Sequence, residues 1–349
     1  MMSRVQIDKN FDIYVTDLLS DLQDYEIDLQ FYLTRNCNLA CRGCYMHANP
    51  DVSRDIMSET DVDFYLGQFA EAPSFCRSVV FSGGEIFVAP IDYLERNAQN
   101  VLGRGWHLQL KTNGAWIKNP KVAHDATDML RNLNPKYGIS ATTEDIRQCI
   151  MKIPRPLRRL LGWPVVRKKF PLVSSLDMAI SVDNKLHPVQ SADWFLRIVN
   201  MISHDKKLKK SVGLKTFSFD DSADFFQESI LENPNVSVKD FKQNGKKWMF
   251  TYSINGTRIE SYFGKFVDVT QVTVLQKIQE FVLPAIDAER KGRLVYSFYP
   301  DKTVGLDSCH LETVGRVPYI DENGKRKTFA QINEDIQKKL IQDYHQATK

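Results

Sequence analysis

Across 349 residues, 43% hydrophobic and 26% charged side chains are the balance of a globular protein with a sizeable core, which excludes a disordered chain, a coiled coil and a collagen-like repeat. Forty-six Lys plus Arg against 43 Asp plus Glu leave a formal net charge of +3, too small a bias to make nucleic acid or an anionic membrane the main partner. No run approaches the ~18 apolar residues of a membrane span, and the opening MMSRVQIDKNFDIYV lacks a signal-peptide apolar region, so the expectation is a cytoplasmic protein with no membrane partner.

Residues 28–34, DLQFYLT, read as a strand that ends in a polar, cysteine-bearing loop running to about Asp55. Ser58 then reads as an N-cap before Val62, Tyr65, Leu66 and Phe69 at helical spacing. A second strand over residues 78–81 ends in Ser82, Gly83 and Gly84, and Pro90 opens a helix that Gly103 closes. A third strand, residues 106–112, breaks at Asn113-Gly114, and Asn119-Pro120 caps a helix carrying Val122, Ala126, Met129 and Leu133. After an interruption of about forty residues the rhythm resumes with a strand over 176–182, a helix from Ser191 and a strand over 212–219. Such alternation predicts crossover units and a parallel sheet whose working groups sit at the carboxyl ends of its strands. Either an open doubly wound sheet or an incomplete barrel satisfies that pattern.

From Val236 the pattern becomes strand, Asn244-Gly245, strand, Asn255-Gly256, strand, ending near Val269. This predicts a three-stranded antiparallel meander added to the parallel core, whose edge is a candidate for peptide pairing or simply covers one end of the sheet. A helix over about 272–290, a hairpin around 300–303 and a final helix with Phe329, Ile332, Ile336 and Leu340 complete the chain.

Six cysteines occur, three of them at Cys37, Cys41 and Cys44 on the loop after the first strand, which is not the dispersed pattern of a disulfide framework. Three thiolates so close can ligate three irons of a cubane cluster and leave the fourth iron open to a cofactor or substrate. A structural zinc site instead closes with a fourth ligand, for which His47 is the candidate.

The stretch TRNCNLACRGCY resembles the CxxxCxxC signature of the radical S-adenosylmethionine superfamily. The resemblance implies one 4Fe-4S cluster held by Cys37, Cys41 and Cys44, with S-adenosyl-L-methionine chelating the open iron. It implies reductive cleavage to a 5′-deoxyadenosyl radical that abstracts hydrogen from substrate, with flavodoxin or ferredoxin as electron donor. Gly43 stands where the family usually carries a bulky residue near the adenine, so Tyr45 is the candidate for that contact. Ser82-Gly83-Gly84-Glu85 matches the family's GGE motif, where two glycines allow a close backbone approach and a carboxylate suits an ammonium. Thr112-Asn113-Gly114 and Ser181-Val182-Asp183 are softer matches, with Asn113 and Ser181 as further cofactor contacts; Asn113-Gly114 also reads as a plain turn and Asp183 as a helix cap.

The resemblance spans about residues 28–219. Residues 294–315, LVYSFYPDKTVGLDSCHLETVG, are similar to the SPASM region of peptide-modifying members, yet Cys309 is the only cysteine there and Lys291-Gly292 replaces the upstream start. One thiol cannot hold a cubane, so a single cluster per chain is expected.

Cys309, beside His310, reads as a buried small residue, a hydrogen-atom donor to a substrate radical or a Cys-His pair. Cys149 is a rival donor, and Cys76 precedes the second strand. Residues 146–171 hold Arg147, Lys152, Arg155, Arg158, Arg159, Arg167, Lys168 and Lys169 without an acidic residue, which reads as a solvated face or as a dock for an acidic leader peptide, a phosphorylated substrate or RNA, the last without any stacking motif.

The expectation is therefore an α/β fold, a partial (β/α)6 TIM-type barrel over residues 28–220 with a basic insertion at 135–175. It is preceded by a segment at 1–27 and followed by an α+β, SPASM-like extension at 221–349. The first 220 or so residues are expected to suffice for the cofactor-binding barrel. The substrate expectation is a peptide in natural-product (RiPP) maturation, with a small metabolite or nucleotide as the alternative and a non-catalytic zinc-stabilised binding module as the non-enzyme rival.

Overall fold

The computed structural model describes residues 11–12, 15–16, 26–41, 44, 46, 48–51, 55–71, 78–133, 174–219, 222–243, 249–264, 273, 293–306 and 315–348. Its strands in chain order are β1 (Glu26–Thr34), β2 (Ser78–Gly83), β3 (His107–Thr112), β4 (Ser175–Ser181), β5 (Val212–Phe219), β6 (Val238–Gln243), β7 (Met249–Ile254), β8 (Thr257–Gly264), β9 (Arg293–Phe298), β10 (Thr303–Leu306) and β11 (Val317–Pro318). The longer helices are α1 (Glu59–Glu71), α2 (Ile91–Gly103), α3 (Pro120–Asn132), α4 (Ser191–His204) and α5 (Phe329–Ala347). Among the described residues no helix is long and apolar enough to cross a membrane.

The strands form one 11-stranded sheet in the order β11-β10-β9-β1-β2-β3-β4-β5-β8-β7-β6. From β9 through β8 every neighbouring pair is parallel, and antiparallel pairs finish both ends. The alternation predicted for β1 to β5 is present, and the local signals behind it hold. Ser58 Oγ accepts from Asp61 N at 3.1 Å at the start of α1, and Asn119 Oδ1 caps α3 through Lys121 N and Val122 N. Asn255 and Gly256 take the positive φ of a tight hairpin between β7 and β8. Asn244-Gly245 and the helix expected over 272–290 fall largely outside the described residues.

The expected three-stranded meander is present as β6-β7-β8, and it continues the parallel core, because β8 pairs in parallel with β5 from Leu214↔Ile259 to Phe219↔Gly264. On the other side β9 pairs in parallel with β1. Strand periodicity reveals that a strand exists and leaves its neighbour open, so the pattern could not show that strands from the C-terminal part of the chain extend both edges of the same sheet. The outermost strand β6 carries a register irregularity between Lys239 and Lys242, with Asp240 at φ 56°. Such a bulge on an edge with lysines on either side discourages further strand pairing.

The two faces of the sheet differ. Leu29, Phe31 and Leu33 of β1, Val79 and Phe81 of β2, Leu108 and Leu110 of β3, and Leu176, Met178 and Ile180 of β4 share one core with the apolar stripes of all five helices. Intervening residues point the other way: Gln30 and Tyr32 on β1, Lys111 on β3, Asp177 on β4, Lys215 on β5 and Glu260 on β8. A parallel sheet covered by helices on both faces reads as unbroken apolar runs, whereas this one alternates. The helices therefore sit on one side, and the opposite, inner face is polar.

The C-terminal elements are held to the rest by buried polar contacts. Tyr65 Oη on α1 donates to the carbonyls of Tyr319 and Lys327 at 2.9 and 3.2 Å, and Phe11 stacks on Tyr344 of α5 at 3.8 Å. Tyr65→Phe, which removes one hydroxyl donor shared by two carbonyls, is expected to lower unfolding stability by about 1–3 kcal/mol. Chemical denaturation followed by circular dichroism measures it, with one cooperative transition retained.

Candidate functional site

The loop after β1 begins inside the sheet. Thr34 Oγ1 accepts from Asn36 N at 3.0 Å, Met57 N donates to Leu33 O at 2.9 Å, and Cys37 N donates to Asn49 O at 3.4 Å. These bonds return the chain to the strand end and fix where Cys37 stands. Cys37 is buried against Tyr32, Met46, Ala48 and Tyr299, with Leu39 and Cys44 packed alongside. Leu39 N donates to Cys37 Sγ at 3.4 Å, and Cys44 N donates to Cys41 O at 3.3 Å. Cys37, Cys41 and Cys44 are all free thiols.

Burial pushes the Cys37 thiol up to about 12, with the charges of Glu85, Cys41 and Cys44 adding to the shift and the Leu39 amide opposing it. Cys41 is likewise pushed up to about 12 by burial, then by Cys44 and Asp183. The three sulfurs are thus within electrostatic reach of one another, and metal binding there must displace protons. Among the described residues no group of three His, Cys, Asp or Glu side chains converges closely enough to hold one metal ion. Thiolates on three separate irons of a cube do not share a single centre as zinc ligands do.

The loop after β2 lies directly against this one. Gly84 N donates to Thr34 O at 2.8 Å and Glu85 N to Asn36 O at 2.9 Å. A Cβ on Gly83, whose φ is 145°, would lie 2.4 Å from Thr34 O, and one on Gly84 would lie 2.2 Å from Asn36 O. The sequence suggested close approach of a ligand; the structure gives both glycines a neighbour within the chain, the backbone that leads into Cys37.

Glu85 is wholly buried. Its Oε1 accepts from Phe87 N at 3.1 Å, its Oε2 from Asn113 N at 2.8 Å, and the Thr112 hydroxyl lies 2.8 and 2.9 Å from the two oxygens. Burial raises its pKa from the usual 4.5 to about 7, and the bonds from Asn113, Phe87 and Thr112 hold it from going higher. Thr112 Oγ1 in turn accepts from Gly114 N and Trp116 Nε1, each at 3.0 Å. The loops after β2 and β3 are therefore joined through one carboxylate and one hydroxyl.

Asn113 carries the connection on to the cysteines. Its Oδ1 accepts from Ala115 N at 2.8 Å, which fixes the amide orientation. Nδ2 then donates to Asn38 Oδ1 at 2.8 Å and meets Cys37 Sγ at 3.6 Å. Gly114 takes a φ of 78°, so the turn reading and the site reading of Asn113-Gly114 describe one geometry.

Ser82 is buried at the end of β2, and Ser181 is half-buried at the end of β4 on the inner face. Asp183 organises the loop after β4 in place of capping α4. Its Oδ1 accepts from Lys185 N, Leu186 N and His187 N, and its Oδ2 lies 2.7 Å from His187 Nδ1. Burial works against its charge, but the His187 bond and those backbone amides hold its carboxyl below the usual range. His187 also lies within electrostatic reach of Glu85. Sequence reasoning missed His187; the Asp-x-x-x-His spacing was its only local signal.

A second missed group comes from far along the chain. Tyr299 stacks on Tyr32 at 4.7 Å, and the Arg316 guanidinium lies 3.8 Å from the Tyr299 ring centroid. Asp301 bridges Arg35 and Arg316 at 2.8 and 2.7 Å. Nothing local marks a pair such as Arg35 and Asp301. Tyr45, His47, Cys76, Cys149, Cys309, His310 and the basic segment at 146–171 lie outside the described residues.

No protein-family model and no curated protein matches the chain. Solved structures do. Native anSMEcpe with bound AdoMet and Cp18Cys peptide aligns at a TM-score of 0.39 and 13% identity, covering 92% of this chain and 82% of that one. The Kp18Cys peptide complex aligns at 0.36 and 12%, covering 91% and 84%, and native anSMEcpe with bound AdoMet alone at 0.34 and 12%, covering 92% and 82%. At these scores the likeness carries no argument about chemistry.

Two outcomes follow from the latch. Because the Glu85 pKa is raised on folding, it adds a stability that is full below about 4.5 and is lost as pH rises through about 7. Glu85→Gln should flatten that slope, at most about 1.4 kcal/mol per pH unit, in denaturant titrations across the window. Gly84→Ala should push the Cys37 loop aside, so alkylation of Cys37 in metal-free protein, followed by mass mapping, should become several-fold faster.

Proposed function

We propose that this protein is a radical S-adenosylmethionine enzyme built on a partial barrel, with Cys37, Cys41 and Cys44 holding one 4Fe-4S cluster. One observation carries the reading. Three motifs matched at consecutive strand ends, CxxxCxxC, SGGE and TNG, are hydrogen-bonded to one another around Cys37. A chance turn at any one strand end has no reason to bond to the other two.

The donor set fits such a cluster. Cys37 Sγ receives N–H groups from Leu39 and Asn113, the kind of hydrogen bonding that tunes iron–sulfur potentials. When bound, the cluster and S-adenosylmethionine supply a 5′-deoxyadenosyl radical for hydrogen abstraction. The remaining work belongs to the chain. Gly83 and Gly84 bring the second loop against the first, and Glu85 orients Asn113 toward Cys37. Ser82, Asn113 and Ser181 stand at the strand ends as candidate cofactor contacts, with Tyr45 proposed for the adenine. The face of the sheet opposite the helices is the proposed substrate side.

For the substrate we favour a peptide, hence a role in natural-product maturation with flavodoxin or ferredoxin as electron source, on the SPASM-like pattern of residues 294–315. Cys309 is the proposed hydrogen-atom donor. A small metabolite or nucleotide is the alternative. A zinc-stabilised binding module is the non-enzyme rival.

Anaerobic reconstitution with ferrous iron and sulfide should give brown protein with about four irons per chain, and Cys→Ala changes at 37, 41 and 44 should abolish it. With dithionite and S-adenosylmethionine the brown protein should release 5′-deoxyadenosine. Stoichiometric zinc without colour, or about eight irons, would overturn the assignment. Mass spectrometry of a coexpressed candidate peptide tests the substrate: loss of two hydrogens or label from heavy water supports it, and an unchanged mass removes it.

A further inference from the structure

Among the described residues, the charges that alternate along β3, β4, β5 and β8 on the inner face pair off with one exception. Lys215 Nζ lies 2.6 Å from Asp177 Oδ2, and Arg258 lies 3.4 Å from Glu260. His107 Nε2 also approaches Asp177 Oδ2, at 3.4 Å. The Asp177 carboxylate fits because its register partner on β5 is Gly213, where a Cβ would lie 2.2 Å from Oδ1. Lys111 has no carboxylate partner among the described residues. Its Nζ donates to Gln30 Oε1 at 3.4 Å, a long bond to a neutral acceptor.

Beside Lys111, two buried polar side chains make no hydrogen bond among the described residues. Gln30 is only 2% exposed, and its Nε2 makes no hydrogen bond among the described residues. Ser297, its register partner on β9, is wholly buried with its Oγ also unpartnered. Lys111 and Lys215 flank Ala179 in a single register row across β3, β4 and β5, so only a methyl group stands between two lysine-bearing strands. Unpaired buried donors are costly, and so is a half-buried ammonium without counter-charge. A single anionic acceptor relieves both.

We propose that Lys111, with Gln30 beside it, receives a carboxylate group of the substrate. Among the described residues of β3, β4, β5 and β8 the excess is one positive charge, since Lys215 and Arg258 are already compensated, and one charge matches a monoanionic carboxylate better than a phosphate dianion. The ammonium and the planar amide NH2 supply donors for its two oxygens. Lys111 stands two residues before Asn113, the residue just past the end of β3 whose side chain meets Cys37. The assignment deepens the substrate side of the radical-enzyme reading and rests on it.

The test uses full-length protein carrying lysines labelled with carbon-13 at Cε, with the Lys111 signal identified by its loss in Lys111→Arg. Titration with sodium propionate should shift that signal saturably, and the neutral isostere propionamide should leave it in place. Gln30→Leu should weaken the propionate response about fivefold, as expected for loss of one neutral hydrogen bond. A Lys111 signal that stays still, or that follows propionamide equally, overturns the proposal. Tighter saturation by inorganic phosphate overturns the carboxylate assignment. The titration needs neither cluster nor S-adenosylmethionine, so a chain that fails reconstitution can still pass it, and one that cleaves S-adenosylmethionine can fail it.

Discussion

The site depends on a buried carboxylate with no cation bonded to it among the described residues. Glu85 is wholly buried, and the groups bonded to it are two backbone amides and a threonine hydroxyl. Removing a carboxylate from water costs several kcal/mol even after relaxation, and hydrogen bonds from neutral donors return part of that, which is why its pKa stops near 7. The residual cost has a structural return. Phe87 follows β2, while Thr112 and Asn113 stand at the end of β3, so satisfying one side chain ties two strand ends together. The Gly84 and Glu85 amides bind the loop after β1 in the same way.

The two faces of the sheet divide the labour. Helices α1 to α5 share the apolar core on one side, so stability does not require the other face to be apolar. That face can carry Gln30, Lys111, Asp177 and Lys215, a set no core would tolerate unpaired. Lys111 shares β3 with the asparagine loop, and Gln30 shares β1 with the cysteine loop.

Much of this was legible in the sequence, and what was not has a physical reason. Helix starts at Ser58 and Asn119 and the hairpin at Asn255-Gly256 are local devices, settled within a few residues, and they stand where the pattern put them. The motifs at Cys37, Gly83 and Asn113 were also legible as residues. Their mutual contacts were not. That Gly84 is forced by Asn36 O, or that Asn113 reaches Cys37 Sγ, follows from β1, β2 and β3 being neighbours in parallel register. Lys111 escaped for a similar reason: a lone lysine in a strand is unremarkable until the ion pairs around it are known.

The far end of the chain changes what counts as the site. Residues up to about 220 contain the three strand-end motifs, and on sequence they suffice for a cofactor-binding unit. Yet β1, which leads into Cys37, has β9 as its neighbour on one side, and Tyr32 beneath that loop is stacked by Tyr299. Asp301 ties Arg35, two residues before Cys37, to Arg316. A chain ending at 220 leaves β1 an open edge, Tyr32 uncovered and the Arg35 guanidinium without its carboxylate. The half-exposed Arg35–Asp301 pair contributes little by itself, whereas the strand pairing and the buried ring stack are what hold the base of the loop. The cysteine loop is therefore shaped by residues more than 250 positions away, and the C-terminal segment belongs to the site's construction as much as to substrate access.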